Sequence, residues 1–179
     1  LTGKKISEGI VIGKLIFYKR DIKEIRRIYV KDVEKEVQRF QRARQKASAE
    51  LKELYVSSIQ EVGEANAAIF EMQQKILEDE EFADKVMSIV VEQKLNAEYA
   101  VQTTAEEILK NADSDEKDYI QGHSADVKDV ALRLLQILSR SWKDRLLADE
   151  PFILAASELY PSEAVQLDKS KILGFVTRY

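Results

Sequence analysis

The chemistry open to this sequence rests on few side chains, and its single histidine is the first of them. His123 is the one residue that could accept a phosphoryl group or act as a base near neutral pH. It follows Gly122 near the start of a segment with helical periodicity, and no serine or carboxylate around it is spaced as in a catalytic triad or a metal site. Any reaction that needs two histidines within the chain is excluded. We therefore expect His123 to be a surface or interface residue without a chemical role.

The carboxylates give no stronger indication of an enzyme. Pairs such as Glu106 and Glu107 lie among lysines and arginines at helical spacings, which is typical of ordinary surface ion pairs. A four-helix di-metal site would need Glu-x-x-His motifs, and the sequence has none. Gly9 and Gly13 lie inside a strand pattern rather than in a phosphate-binding loop before a helix. The residues alone favour a binding module.

Segment 63–82, GEANAAIFEMQQKILEDEEF, is the strongest candidate for a binding surface. Its apolar residues recur at three- and four-residue steps, which places them on one stripe of a helix: Ala68, Ile69, Met72, Ile76 and Leu77. Glu71 and the four acids of 78–81 lie beside and beyond this stripe. Either the stripe is core and the acids cap the next helix, or the segment docks a partner. Periodicity alone favours the first interpretation.

Composition limits the partners. The chain has 179 residues, 28 basic and 32 acidic with the signs interspersed, and a net charge of -4. No basic run with interleaved aromatic residues occurs, which argues against general nucleic-acid binding. A partner attracted by charge should therefore be basic.

The absence of cysteine excludes disulfides, thiolate catalysis and the usual structural zinc sites. It fits a reducing cytoplasm. No apolar run approaches the roughly 20 residues that span a bilayer, and the first residues lack the apolar region of a signal peptide. We expect a soluble cytoplasmic protein that does not enter a membrane.

The central part of the sequence reads as a series of helices. A first helix of about 25 to 30 residues should begin after Asp32 and end near Gly63. A second should run to about Leu77, a third should be capped by Asp79, and a fourth by Asn96. One more helix follows. The pattern predicts an antiparallel helical bundle.

Strand patterns occur at both ends of the chain. Residues 6–18 form an apolar strand pattern that needs a sheet, and the next such patterns are residues 152–155 and 171–177, separated by a short helix at Pro161. This strand, helix, strand order predicts a parallel crossover unit. The fold class is therefore mostly α, a helical bundle inserted into an α/β domain. The expected boundaries are 1–20 for the first strand, 21–144 for the bundle and 145–179 for the rest of the α/β domain.

Four stretches resemble the amino-terminal region of enzyme I, the phosphoenolpyruvate-protein phosphotransferase of the bacterial sugar phosphotransferase system. In family order they are ISEGIVIGKL, GEANAAIFEMQQKILEDEEF, HSADVKDVALRLL and ILAASELYPSEAVQLDKSKILGFVT. The resemblance implies a helical subdomain that binds the phosphocarrier protein HPr, inserted into an α/β phosphohistidine (swivelling) subdomain. In the parent enzyme, phosphate passes from phosphoenolpyruvate through a histidine to HPr. The resemblance also implies that the parent enzyme has a C-terminal phosphoenolpyruvate-binding barrel, which dimerises and holds Mg²⁺.

The family's active histidine lies in a T-x-x-G-G-x-x-S-H pattern after a strand like GFVT. Thr177 matches the first residue of that pattern, and the sequence stops at Tyr179 before its glycines, serine and histidine. We therefore expect a truncated α/β subdomain and a fragment that is inactive alone and takes no metal. Such truncation should leave a sheet edge and an apolar face uncovered. Two further departures are Leu159-Tyr160-Pro161, in place of Leu-Thr-Pro, and Ala164, where many members carry threonine.

The resemblance also implies which residues bind the partner: Glu64, Ala68, Glu71, Ile76, Asp79, Glu81 and Phe82. We expect Ile69 and Leu77 to face inward while Ala68, Ile76 and Phe82 face outward among the acids. Two alternatives stay open. One is a nitrogen-linked or regulatory paralogue of enzyme I, and the other is a non-catalytic helical interaction module.

Overall fold

The computed structural model describes residues 8–18, 25–112, 123–139, 150–164, 167, 168 and 170–178. The chain divides into two compact units, one made of residues 1–21 with 145–179 and the other of residues 22–144. The boundaries expected from the sequence, 20/21 and 144/145, differ from these by at most one residue. The structure is mostly helical with one three-stranded parallel sheet, which confirms the coarse fold class. The antiparallel order of the bundle stays a prediction.

Five helices of the helical unit fall within the described residues: α1 Val33–Val62, α2 Glu64–Glu78, α3 Glu80–Gln93, α4 Ala97–Ala112 and α5 Ser124–Ser139. α1 has 30 residues and begins after Asp32, whose carboxylate accepts a hydrogen bond from the backbone N–H of Lys35 at 3.0 Å. It ends at Gly63, whose φ of 83° lies in the region that favours glycine. The predicted N-cap and C-terminal glycine are both confirmed.

Single residues connect α1 to α2 and α2 to α3. Gly63 makes the first connection, and Asp79 makes the second. The Asp79 carboxylate accepts a hydrogen bond from the N–H of Glu81 at 2.8 Å, which confirms its predicted role as N-cap of α3. Connections this short leave α2 little freedom to rotate relative to α1 and α3.

α4 begins at the predicted place, but a different side chain satisfies its first N–H. The Asn96 side-chain oxygen accepts from the N–H of Ile28 at 3.0 Å instead of capping the helix. The N–H of Ala97 donates to Glu36 of α1 at 2.7 Å, so a carboxylate lies at the positive end of the α4 dipole. Arg39 pairs with Glu36 and also donates to the carbonyl of Leu138 at 3.0 Å near the end of α5. These contacts tie α1, α4 and α5 together.

The core of the helical unit lies where the apolar faces of the helices meet. α1 packs against each of the other four described helices. The buried apolar side chains recur at the predicted three- and four-residue steps and include Phe40, Ala47, Leu51, Phe70, Leu77, Val86, Val90, Val101, Val130 and Leu134. Their burial is the main stabilising contribution to this unit.

The other unit contains β1 Lys14–Tyr18, β2 Phe152–Ala156, α6 Pro161–Ala164 and β3 Ile172–Thr177. The strands are parallel in the order β1-β2-β3, as the crossover pattern predicts. The first strand is shorter than its predicted span of 6–18, because residues 8–13 lie outside it.

On one face of this sheet, the two outer strands carry exposed apolar side chains. Leu15 of β1 lies opposite Ile153 of β2. Phe17 of β1 lies opposite Ala155 of β2, which in turn lies opposite Val176 of β3, so these side chains share a face. Phe17 is 70% exposed and Val176 is 58% exposed. β1 and β3 are the outermost strands of the sheet. The exposed face agrees with the expected uncovered apolar surface.

Candidate functional site

α2 has two distinct faces, and this division defines the candidate site. Its inner face is buried and consists of Ala67, Phe70, Gln73 and Leu77. Its outer face is exposed and consists of Glu64, Ala68, Glu71, Lys75 and Glu78, again at three- and four-residue steps. Between them lies a half-buried ridge of Ile69, Met72 and Ile76. An accessible apolar ridge flanked by carboxylates is suited to a protein partner.

The end of α2 carries the densest charge. We call residues 78–81, the last residue of α2 through the second residue of α3, the acidic corner, and all four side chains are exposed. Residues 64–85 contain seven acids and two lysines, whereas the whole chain has a net charge of -4. Both lysines form i,i+4 pairs, Lys75 with Glu71 at 3.3 Å and Lys85 with Glu81 at 2.7 Å. The surface therefore keeps a net negative charge that attracts basic partners, more weakly as salt rises.

An arginine from α1 lies at the acidic corner. The Arg44 guanidinium donates through Nε to the carbonyl of Leu77 and through Nη2 to the carbonyl of Asp79 at 3.5 Å. The last carbonyls of a helix have no partner within that helix, and a cation is favourable at its negative end. Arg44 therefore stabilises the end of α2.

The structure places most of the predicted partner-binding residues at the surface. Glu64, Ala68, Glu71, Asp79 and Glu81 are exposed, and Ile76 is half-buried. Leu77 is buried, as expected, and Ile69 is half-buried rather than fully inward.

Phe82 was expected to face outward, and this prediction is wrong. Its side chain is 3% exposed. Phe82 begins the inner face of α3 and is followed at helical steps by Val86, Ile89 and Val90, which are also buried. The residue that follows an acidic turn is here the first core position of the next helix, so it is not part of the exposed surface.

Beneath α2 lies a buried polar network. The Gln73 side-chain amide donates to Asp129 at 3.0 Å and to Asp126 at 3.5 Å, and both Gln73 and Asp129 are 1% exposed. His123 Nδ1 lies 3.0 Å from the other oxygen of Asp126. The predicted absence of a chemical role for His123 stays untested, but its ring nitrogen has a structural partner. The sequence does not reveal this network, because Gln73 looks like an ordinary surface residue until its partners in α5 are known.

The sheet brings its own candidate residues to one edge. Thr177 lies at the carboxyl end of β3, opposite Ala156 of β2, which pairs in turn with Tyr18 of β1. The Tyr18 hydroxyl donates to the buried carboxylate of Glu163 at 2.8 Å, and the N–H of Tyr160 donates to the same carboxylate at 3.0 Å. Ligands of parallel α/β sheets bind at this carboxyl edge. Thr177 therefore lies where such a site would form.

A groove of about 660 Å³ lies beside the acidic corner and is lined by Glu81, Asp84, Lys85, Ser88, Ile89, Gln93 and Glu107.

In the ranges that the structure describes, no group of histidine, cysteine, aspartate or glutamate side chains could hold a metal ion. None of the helices described has the length and apolar character needed to cross a membrane.

Comparisons with solved structures agree with this fold. An enzyme I protein determined in solution by NMR superimposes with a TM-score of 0.75 and 25% identity, covering 96% of this chain and 70% of that one. The N-terminal domain of Enzyme 1 - Nitrogen gives a TM-score of 0.70 at 22% identity, with 95% and 70% coverage. The second likeness shows the fold alone.

Comparisons of sequence identify the family. Phosphoenolpyruvate-protein phosphotransferase of Mycoplasma capricolum subsp. capricolum is 32% identical over 178 residues, and that of Borreliella burgdorferi is 29% identical over 180 residues. Each match covers 99% of this chain but 31% of the relative, so the chain spans about a third of their length. The family model described as PEP-utilising enzyme, N-terminal, matches residues 2–122. The chain belongs to this family of PEP-utilising enzymes, and its predicted resemblance to the amino-terminal region of enzyme I is confirmed.

Proposed function

We propose that the helical unit, residues 22–144, docks HPr for a phosphotransferase that moves phosphate from phosphoenolpyruvate through a phosphohistidine. The relatives are named phosphoenolpyruvate-protein phosphotransferase, which supports the reaction class. The α/β unit would form part of the phosphohistidine subdomain into which an antiparallel bundle is inserted. The barrel and Mg²⁺ expected from the resemblance belong to the parent enzyme, and a cytoplasmic location stays our expectation.

One observation carries the docking proposal, the outer face of α2 with its ridge and acidic corner. Ile69, Met72 and Ile76 are accessible enough to bury more area against a partner. The exposed carboxylates of the outer face and the acidic corner flank them, as polar residues lie at the rim of an interface. The ridge would supply affinity, while the acids would mainly raise the association rate with a basic partner.

A titration of isotope-labelled HPr with the chain tests this proposal. We expect chemical-shift changes that saturate, with affinity falling between 50 and 300 mM salt because exposed charges are screened, an effect on the order of tenfold. HPr without shift changes would contradict the proposal. The carrier of a nitrogen-linked system, titrated in parallel, addresses the alternative, since the tighter of the two carriers identifies the system served.

A matched pair of variants locates the surface. Ala68→Arg places a bulky cation on the outer face of α2 and should weaken HPr binding at least tenfold. Ala49→Arg makes the same change at an exposed position of α1 that points away from its buried face, and binding should be nearly unchanged. Equal effects of the two variants would refute the assignment of α2 as the docking helix.

Phosphoryl transfer can be tested separately. We propose that His123 is not the phosphorylated residue, because it does not match the T-x-x-G-G-x-x-S-H pattern of the family's active histidine: Gly122 precedes it where the pattern has serine. The chain should therefore take no label from phosphoenolpyruvate, even with the barrel of a relative added. Histidine-linked phosphate on the chain would contradict this.

A further inference from the structure

The acidic corner has an unusual local construction. Asp79 is at once the last cap of α2 and the N-cap of α3, so two helices meet over a single residue with φ -61° and ψ 121°. Four successive carboxylates repel one another at this point. Their placement relative to the ridge of α2 depends on what fixes this turn.

Arg44 supplies two donors to the turn from outside it. Its Nε bonds the carbonyl of Leu77 before the corner, and its Nη2 bonds the carbonyl of Asp79 within it. Because a guanidinium is planar and its donors have fixed directions, two such bonds restrict the orientation of the turn relative to α1. Arg44 is half-buried, whereas the four acids are exposed.

We infer that Arg44 is a positioning residue for the docking surface. It holds residues 78–81 in the orientation that a basic partner recognises. This inference rests on the proposed docking function. Arg44 would act through the backbone of the corner rather than by touching the partner.

The sign of the effect separates this role from simple electrostatics. Replacing Arg44 with a neutral side chain makes the surface more negative, so charge attraction alone would tighten binding to a basic partner. Loss of a positioning contact would instead weaken it, because the acids would no longer hold one arrangement. A role in folding alone would change stability but leave the affinity of the folded chain unchanged.

The test measures HPr affinity for three variants at a temperature where far-UV circular dichroism shows each to be folded. Arg44→Met should bind about tenfold more weakly. Arg44→Lys keeps the charge but cannot present two fixed donors, and it should fall between Arg44→Met and the unchanged chain. The control is Arg42→Met, which removes the same charge from an exposed residue of α1 that bonds Gln38 at 3.2 Å. It should leave affinity unchanged or slightly raised.

A double-mutant cycle identifies what Arg44 acts upon. Removing the charge of Glu81 at the corner should shrink the effect of Arg44→Met, whereas removing that of Glu64, at the far end of α2, should leave it intact. Unchanged affinity of Arg44→Met, or additivity with Glu81→Gln, would overturn the inference while leaving docking standing. A wild-type chain that does not bind HPr would overturn both.

Discussion

Replacing Gln73 with leucine tests whether the buried network stabilises the fold. The change removes the 3.0 Å hydrogen bond to Asp129, and a bond to a charged partner contributes about 1.5 to 3 kcal/mol. It also removes the Gln73 carbonyl oxygen, which is buried without a hydrogen-bond partner, and this offsets roughly 1 kcal/mol. We therefore expect a net loss of about 1 kcal/mol in the free energy of unfolding.

The adjacent residue provides the matched control. Gln74 is half-buried and donates to Glu78 at 2.8 Å in an exposed contact, so Gln74→Leu should change stability by less than about 0.5 kcal/mol. Gln73→Glu should cost more than Gln73→Leu, because it places a third carboxylate beside Asp126 and Asp129.

Urea denaturation followed by circular dichroism at 222 nm measures these differences. With a slope of about 2 kcal/mol per molar, Gln73→Leu should lower the midpoint by about 0.5 M, and Gln74→Leu should hardly move it. Equal midpoints for the two leucine variants, or a more stable Gln73→Leu, would refute the claim that the network stabilises the helical unit.

Three further predictions concern other contacts. Arg133 is 3% exposed and donates to Glu50 at 2.9 Å, while its Nε and Nη2 have no partner. Because Glu50→Ala leaves this buried cation unpaired, it should lower the free energy of unfolding in urea denaturation by about 3 kcal/mol, whereas Arg133→Met should lower it by less than about 1 kcal/mol. A larger loss for Arg133→Met than for Glu50→Ala would contradict this. The side-chain and backbone hydrogen bonds from Ser170 lower the pKa of Asp168, so its stabilising effect is present above the ordinary aspartate pKa and is lost as pH falls through the lowered pKa. In an NMR titration, Ser170→Ala should raise that pKa, and an unmoved midpoint would argue against this cause. Phe17 is 70% exposed, so Phe17→Thr should reduce the binding of a hydrophobic dye while changing the free energy of unfolding by less than about 0.5 kcal/mol. Unchanged dye binding would show that this sheet face is not the apolar surface that the dye detects.

Local signals in the sequence predicted the elements well. Asp32, Gly63 and Asp79 are where the helices begin and end, because caps and glycine turns depend on a few adjacent residues. The parallel pairing was predicted because two apolar strands joined by a short helix can be arranged in one sheet in few other ways.

Contacts between distant residues could not be predicted in the same way. Glu36 rather than Asn96 satisfies the start of α4, across 61 residues of sequence. The wrong placement of Phe82 came from the resemblance, which assigned it to the partner surface, whereas the helical periodicity of α3 groups it with the buried Val86, Ile89 and Val90. Arg44 and Gln73 look like ordinary surface residues until their partners in other helices are known.

The sheet has a consequence for how the chain folds during synthesis. Lys14 of β1 pairs with Phe152 of β2, so the first strand leaves the ribosome long before its neighbour exists. At about 5 to 20 residues per second, the delay is roughly 7 to 30 seconds. The helical unit, whose packing joins segments closer in sequence, can fold within that interval. The apolar side chains of β1 are meanwhile without their strand, and this makes the nascent amino-terminal segment a natural substrate for a chaperone.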